Sequence, residues 1–161
     1  MAVASLRRML GIGKLPDDLR GEVVAEHAHH IVEFVPVTLR FSGRVPGRKA
    51  QGNVRPFTGA LALTQRRVLA TMSTVPGRAG RSVDCEWTAV PGSMVRARLD
   101  TDGLVIEIPA LDRVDPDFSG TLSLTYTTEL PSSALQLAPA REVWFDVPAR
   151  YVTSLVGGRR G

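Results

Sequence analysis

Apolar and polar residues alternate with a period of two over most of the chain, which predicts strands that are each buried on one face. In the first such segment, residues 30–41, Val35, Val37 and Leu39 share one face, whereas Thr38 and Arg40 share the other. The same alternation predicts further strands at 58–64, 67–75, 82–90, 94–99, 104–108 and 118–129, and residues 142–147 are a candidate for one more. Short turns separate them, including an Asp-Gly step at Asp102 that favours a hairpin.

Helical signals are confined to the two ends of this pattern. Pro16 and the acidic residues behind it are typical of a first helical turn, which predicts a short helix from Leu15. At the other end, an apolar stripe over 148–156 predicts a closing helix that Gly157 stops. The segment 131–140 fits either a short helix or a loop, and a helix is the rival interpretation for the hairpin predicted over 59–72.

Two segments lack both periodicities and carry clustered glycine, proline and basic residues. Residues 42–57 hold three Gly, two Pro and four basic residues, and they predict a long connecting loop. Residues 76–81 predict a second basic turn. The total is about seven short strands, so we expect a mainly β fold, an antiparallel barrel or sandwich with a short C-terminal helix. At 161 residues one domain is expected, over 15–157, with a flexible arm at 1–14 and a tail at 158–161.

A family resemblance supports this architecture. Residues 59–69 read GALALTQRRVL, which resembles the central hairpin of GRAM and bacterial pleckstrin-homology-like domains, with the recurring form Gly-x-Leu-x-Leu-Thr-x-x-Arg-Leu-Leu. The resemblance implies a bent seven-stranded β sandwich or partly open barrel, closed by a C-terminal helix. It also implies a non-catalytic module that binds phosphoinositides, other lipids or protein segments. The basic lipid-binding signature of true pleckstrin-homology domains does not map onto this chain.

Composition narrows the class of protein. With 43% hydrophobic and 22% charged residues, the chain can bury a core, which excludes an intrinsically disordered protein. It contains no run of about 18 apolar residues and no secretory signal at its start. The single cysteine, Cys85, cannot form an internal disulfide. We therefore expect a cytoplasmic protein, with peripheral association at the inner face of the membrane if it docks there.

The distribution of charge is uneven along the chain. From Arg40 to Arg81 there are nine basic residues and no acid, whereas Ser82 to Asp146 contains four basic residues and eleven acids. Arginine provides 18 of the 20 basic residues, a bias that GC-rich coding also produces. Coding bias accounts for the number of arginines but not for their positions.

The predicted strand order brings the loops 42–57 and 76–81 to one end of the sheet, where their basic side chains form a rim. Such a rim attracts anions, so we expect docking to an anionic surface, either phospholipid headgroups or an acidic protein. One alternative is a protein–protein adaptor that uses a sheet edge or groove, the charges being solvated or paired with the acidic second half. The pattern does not fix the oligomeric state. The predicted contact residues are Arg44, Arg48, Lys49, Arg55, Arg78 and Arg81.

Other chemistry has less support. His27, His29 and His30 are the chain's three histidines and are weak candidates for a metal site or a small hydrolase, because four ligands are needed for structural zinc. Cys85 lies on an apolar strand face, as expected of a buried thiol. The chain has no nucleophile elbow and no P-loop, so neither catalysis nor a cofactor is expected. The basic half also lacks the interleaved aromatic residues of nucleic-acid binding surfaces.

Overall fold

The computed structural model describes residues 12–75, 78–87 and 93–157. In these ranges a single sheet of eight antiparallel strands is accompanied by three α-helices and one turn of 3-10 helix at Leu111–Arg113. The elements, in chain order, are α1 (Asp17–Ala25), β1 (His30–Val45), β2 (Arg48–Leu63), β3 (Arg67–Val75), β4 (Arg78–Glu86), β5 (Val95–Asp100), β6 (Gly103–Ile108), β7 (Ser119–Thr127), α2 (Ser132–Leu137), β8 (Glu142–Phe145) and α3 (Ala149–Val156).

The sheet curls into a nearly closed barrel. Its strand order is β4-β3-β2-β1-β7-β6-β5-β8, so two meanders meet where β1 pairs with β7. The outer strands β4 and β8 then approach each other, and the thiol of Cys85 on β4 lies 3.9 Å from the carbonyl oxygen of Trp144 on β8. The mainly β fold with a C-terminal helix, predicted from the alternation of apolar residues, is confirmed.

The interior of the barrel is filled by the apolar face of each strand. On β1, Val35, Val37 and Leu39 are buried, and on β7 Leu124 and Tyr126 are buried. These are the faces that the period of two predicted. The interior of the barrel is therefore a core of packed apolar side chains.

Helix α1 lies outside the barrel on β2 and β3. Its buried residues Leu19 and Val23 pack on Ala60, Ala62 and Leu69. Strand β2 is therefore buried on both faces in this region, which explains the nearly continuous apolar run that also suited a helix. The predicted hairpin is confirmed, since Leu63 pairs with Val68 across its turn.

Helix α3 closes one part of the core, as predicted. Val152 and Val156 are buried, and the Tyr151 hydroxyl donates a hydrogen bond of 2.6 Å to the carbonyl oxygen of Ser82. Gly157 follows the helix with a φ of 78°, the left-handed conformation that commonly ends helices.

The predicted loop at 42–57 is wrong. Strand β1 continues to Val45 and β2 begins at Arg48, so the connection is a tight turn at Pro46 and Gly47. Glycine here serves strand pairing: a Cβ on Gly43 would lie 2.0 Å from the carbonyl oxygen of Ser119 on β7. Close approach of two backbones thus explains a glycine that resembled a loop signal.

Smaller differences concern the edges of other elements. Strand β4 begins at Arg78 rather than at Ser82, so most of the predicted 76–81 loop is strand, and residues 76–77 lie outside the described residues. Of the predicted arm, residues 1–11 also lie outside them, as does the predicted tail at 158–161. Ile12 is buried, and the carbonyl oxygen of Gly13 accepts a hydrogen bond of 2.9 Å from the Phe34 amide. The domain therefore includes residues assigned to the arm.

Candidate functional site

Four of the six predicted basic residues belong to the β1–β2 hairpin and fall on its two faces. Arg44 and Lys49 are direct cross-strand neighbours, and both side chains are exposed on the outer face near the turn. Arg48 and Arg55 are half-buried and share the face of their buried partners, Val45 and Leu39. The Arg55 guanidinium carbon lies 5.2 Å from the centroid of the Phe57 ring, a cation–π arrangement.

The six residues do not gather around one rim. The last pair between β2 and β3 joins Thr58 to Ser73, so the end of β3 at Val75 lies close to the level of Arg55. Arg48, at the turn of the β1–β2 hairpin, is seven residues before Arg55 on β2, up to about 23 Å away at the rise of a strand. Arg78 and Arg81 belong to β4, Arg78 close to the level of Arg55 and Arg81 close to that of Ala60, and their side chains are outside the described residues.

The hairpin turn therefore carries its own cationic group, which we call the hairpin tip and define as Arg44, Arg48 and Lys49. These side chains form no ion pair with any residue in the described ranges. The Nε atom of Arg48 is also buried without a hydrogen-bond acceptor there. The hairpin tip combines unneutralised positive charge with unused donors.

Arg67, by contrast, is neutralised within the fold. Its guanidinium contacts Glu22 at 3.0 Å, Glu26 at 2.8 Å and Asp84 at 2.8 Å. Burial on its own would lower the pKa of Arg67, but hydrogen bonds to these three carboxylates raise it above its ordinary value. This cluster ties α1 to β3 and β4, and Arg67 is only 12% exposed, so its role is structural.

The three histidines, the weak candidates for a metal site, lie around the start of β1. His27 lies in the turn after α1 with a φ of 59°, ahead of β1. Both ring nitrogens of His29, and Nε2 of His30, are buried without a hydrogen-bond partner in the described part of the chain. Burial lowers the pKa of both side chains, with the proximity of His30 adding to the effect on His29. Among the described residues, no three His, Cys, Asp or Glu side chains converge on a metal-sized site.

Cys85 is a poor nucleophile in this structure. The side chain is buried, and its thiol donates to the carbonyl oxygen of Glu86 at 3.4 Å. Burial raises the pKa of Cys85, and the adjacent carboxylates of Asp84 and Glu86 raise it further. A thiol that resists ionisation contributes packing rather than reactivity.

Sequence reasoning missed a groove on the outer face of the barrel. It crosses β2, β1, β7 and β6 and has a volume of about 450 Å³. The strand register explains its composition, because Arg40 lies opposite Val54 on one side and Ser123 on the other. Alternation showed that Arg40 faces outward, but only the register brings these strands together. The outward-facing residues that line the groove are Arg40, Ser42, Val54, Glu107, Pro109, Thr121 and Ser123, and the neighbouring residues Phe41, Gly52, Asn53, Ile108 and Leu122 also border it.

A row of side chains continues from the groove across the sheet. Glu107 on β6 lies directly opposite Ser123 on β7, and it forms an ion pair of 2.6 Å with Arg96 on β5. The Arg96 guanidinium carbon is 5.7 Å from the ring centroid of Trp144 on β8. Glu107 is thus held towards β5, whereas Arg40 forms no ion pair with the described residues.

Searches of protein-family models, curated proteins and solved structures found no match to this chain. Within the part of the chain that the structure describes, none of the helices is long and apolar enough to cross a bilayer.

Proposed function

We propose that this protein is a non-catalytic binding module that docks onto an anionic phospholipid surface through the hairpin tip. The observation that carries the proposal is the exposed pair of Arg44 and Lys49 on adjacent strands. Like charges placed opposite each other in a sheet lower stability by a few tenths of a kcal/mol or more. No described carboxylate offsets this repulsion, so an external anion is the partner that relieves it.

The neighbouring residues support the same partner. Arg48 adds a third cation at the turn, on the face of the hairpin opposite to Arg44 and Lys49. Between Arg40 and Arg81 the chain has no acid to repel a membrane. The resemblance of residues 59–69 to GRAM and pleckstrin-homology-like hairpins favours the same class of function.

Sedimentation with phospholipid vesicles tests the proposal. We expect binding to vesicles that contain phosphatidylserine, weak binding to pure phosphatidylcholine vesicles, and a steep loss of binding as salt rises. Each basic side chain near such a surface contributes about 1 kcal/mol, so the double variant Arg44→Gln/Lys49→Gln should bind about ten- to thirtyfold more weakly.

The control removes the same charge elsewhere. Arg98 and Arg141 are exposed and lie in the acidic second half of the chain, so Arg98→Gln/Arg141→Gln should bind nearly as tightly as the native protein. If both double variants lost vesicle affinity equally, the interaction would depend on the net charge of the protein and not on the hairpin tip. No sedimentation with anionic vesicles at low salt would overturn the membrane proposal.

A protein–protein adaptor is the second candidate, and an open strand edge favours it. β3 pairs with β2 only from Thr58 to Leu63, so within the described ranges residues 48–57 of β2 have no partner strand on that side. An extended segment of another protein can add to such an edge through backbone hydrogen bonds. An adaptor of this kind would keep its partner in Arg44→Gln/Lys49→Gln, which separates it from membrane docking.

A further inference from the structure

The outer groove that contains Arg40 has features of a small-molecule site. Its volume of about 450 Å³ lies within the usual range for ligand pockets, roughly 300–1,000 Å³. Val54 on its wall is 51% exposed, and Pro109 lines the opposite side. We propose that this groove binds a small organic oxyanion, a phosphate ester or carboxylate, with Arg40 as the cationic anchor.

The charge of the groove favours an anion. It contains one carboxylate, Glu107, and that carboxylate is already bound to Arg96 at 2.6 Å. Arg96 is in turn placed over Trp144, which fixes the pair on the β5 side. The positive charge of Arg40 therefore remains uncompensated, and a planar guanidinium binds phosphate and carboxylate groups through two parallel hydrogen bonds.

The polar groups around Arg40 can complete the recognition of an oxyanion. The Ser42 hydroxyl oxygen accepts a hydrogen bond of 2.8 Å from the Gly52 amide, which leaves its own proton available for a ligand oxygen. Ser123 lies directly opposite Arg40 on β7, and Thr121 lies opposite Ser42, so both hydroxyl residues line the groove. These uncharged groups supply donors without cancelling the charge.

The apolar walls indicate that the anion has an organic body. A bare inorganic ion would leave the exposed side chain of Val54 and the ring of Pro109 in water, whereas an attached hydrocarbon group would cover them. The shape comes from the sheet, because β2 carries an extra residue between Ala50 and Asn53 opposite Phe41 to Gly43, a β-bulge that bends a strand locally.

This site does not depend on the proposed membrane docking. Arg40 lies four residues before Arg44 on the same outer face, about 13 Å along the strand, and either site can fail without the other. A free metabolite-sized anion and a lipid headgroup share the required chemistry, so the test has to separate these two sources.

Phenyl phosphate is a suitable probe, because it joins one oxyanion to one apolar ring. Titration of the full-length, ¹⁵N-labelled protein should shift the amide resonances of Gly52, Asn53 and Ser123. The variant Arg40→Gln should bind at least about tenfold more weakly, the effect of losing charged hydrogen bonds. Arg98→Gln, an exposed arginine on β5 outside the groove, should bind like the native protein.

Three results would overturn the proposal. They are the absence of shifts at these amides with millimolar phenyl phosphate, equal binding of benzyl alcohol as a neutral analogue, and unchanged binding in a folded Arg40→Gln variant. Vesicle sedimentation of Arg40→Gln then identifies the source of the anion. Retained vesicle binding assigns the groove to a free molecule, and loss of both interactions assigns it to a lipid headgroup.

Discussion

The hydroxyl group of Tyr126 connects opposite parts of the barrel from inside the core. It donates a hydrogen bond of 2.7 Å to the carbonyl oxygen of Thr71 and contacts the hydroxyl of Ser82. Burial raises the pKa of Tyr126, so this hydroxyl remains a neutral donor. The variant Tyr126→Phe keeps the ring but leaves a buried carbonyl without that donor, and we expect the free energy of unfolding to fall by about 1–3 kcal/mol.

Urea unfolding followed by circular dichroism measures this loss as a shift of the midpoint at constant slope. Tyr151→Phe is the matched control, since its hydroxyl also donates to a backbone oxygen, that of Ser82, but from a half-buried residue. The Tyr151 hydroxyl has this one partner, whereas that of Tyr126 also contacts the Ser82 hydroxyl, so the expected loss is smaller. Equal midpoints for Tyr126→Phe and the native protein would contradict the proposed role of the hydroxyl.

For individual residues, the sequence does not predict which charged side chains form ion pairs within the fold. Arg67 and Arg44 belong to the same basic run, yet Arg67 binds Glu22 and Glu26, more than forty residues earlier in the chain. Arg44 has no such partner among the described residues. The difference depends on where α1 packs, and no local pattern contains that information.

At the scale of elements, two glycines show opposite effects of a missing side chain. Gly21 lies within α1, and a Cβ added there would meet no atom within 4 Å, so Gly21→Ala should raise stability by about 0.5–1 kcal/mol through helix propensity. On β2, a Cβ at Gly59 would lie 2.0 Å from the carbonyl oxygen of Thr71. Gly59→Ala should therefore lower stability by about 1–3 kcal/mol, because β2 and β3 must separate.

Thermal unfolding of the two variants tests this contrast, with a higher Tm for Gly21→Ala and a lower Tm for Gly59→Ala. Shifts in the same direction would show that local backbone entropy, rather than strand packing, dominates at Gly59. The chemical change is identical in both variants, so the comparison isolates the surroundings of each glycine.

Strands with a strict period of two could be predicted from sequence, and those around Leu39 and Leu124 are where the pattern placed them. The long β1–β2 hairpin could not, because Gly43 and Gly52 interrupt the alternation. Gly43 allows the close approach of β7, and the Gly52 amide donates a hydrogen bond to the Ser42 hydroxyl. Both contacts depend on the folded sheet. For the same reason, charge alone identified the residues of the hairpin tip. It did not show that the length of β2 separates them from Arg55.

At the scale of the whole molecule, β1 is the strand that joins the two meanders. It pairs with β2 along one edge and with β7 along the other, and Tyr126 adds a contact through the core to β3. The basic and acidic halves of the sequence thus become one continuous sheet rather than two units. A shared core of this kind predicts a single cooperative unfolding transition.

The chain's two tryptophans can test this cooperativity, since Trp87 follows β4 in the first meander and Trp144 lies on β8 in the second. In Trp87→Phe fluorescence reports on β8, and in Trp144→Phe it reports on the end of β4. Within each variant, the fluorescence transition in urea should coincide with the far-ultraviolet circular dichroism transition. Trp87→Phe should also unfold at lower urea, because the Trp87 indole donates a hydrogen bond of 2.8 Å to the carbonyl oxygen of Thr64. Fluorescence that precedes the loss of ellipticity in one variant would show that its meander unfolds separately, and the docking hairpin would then belong to an independent half.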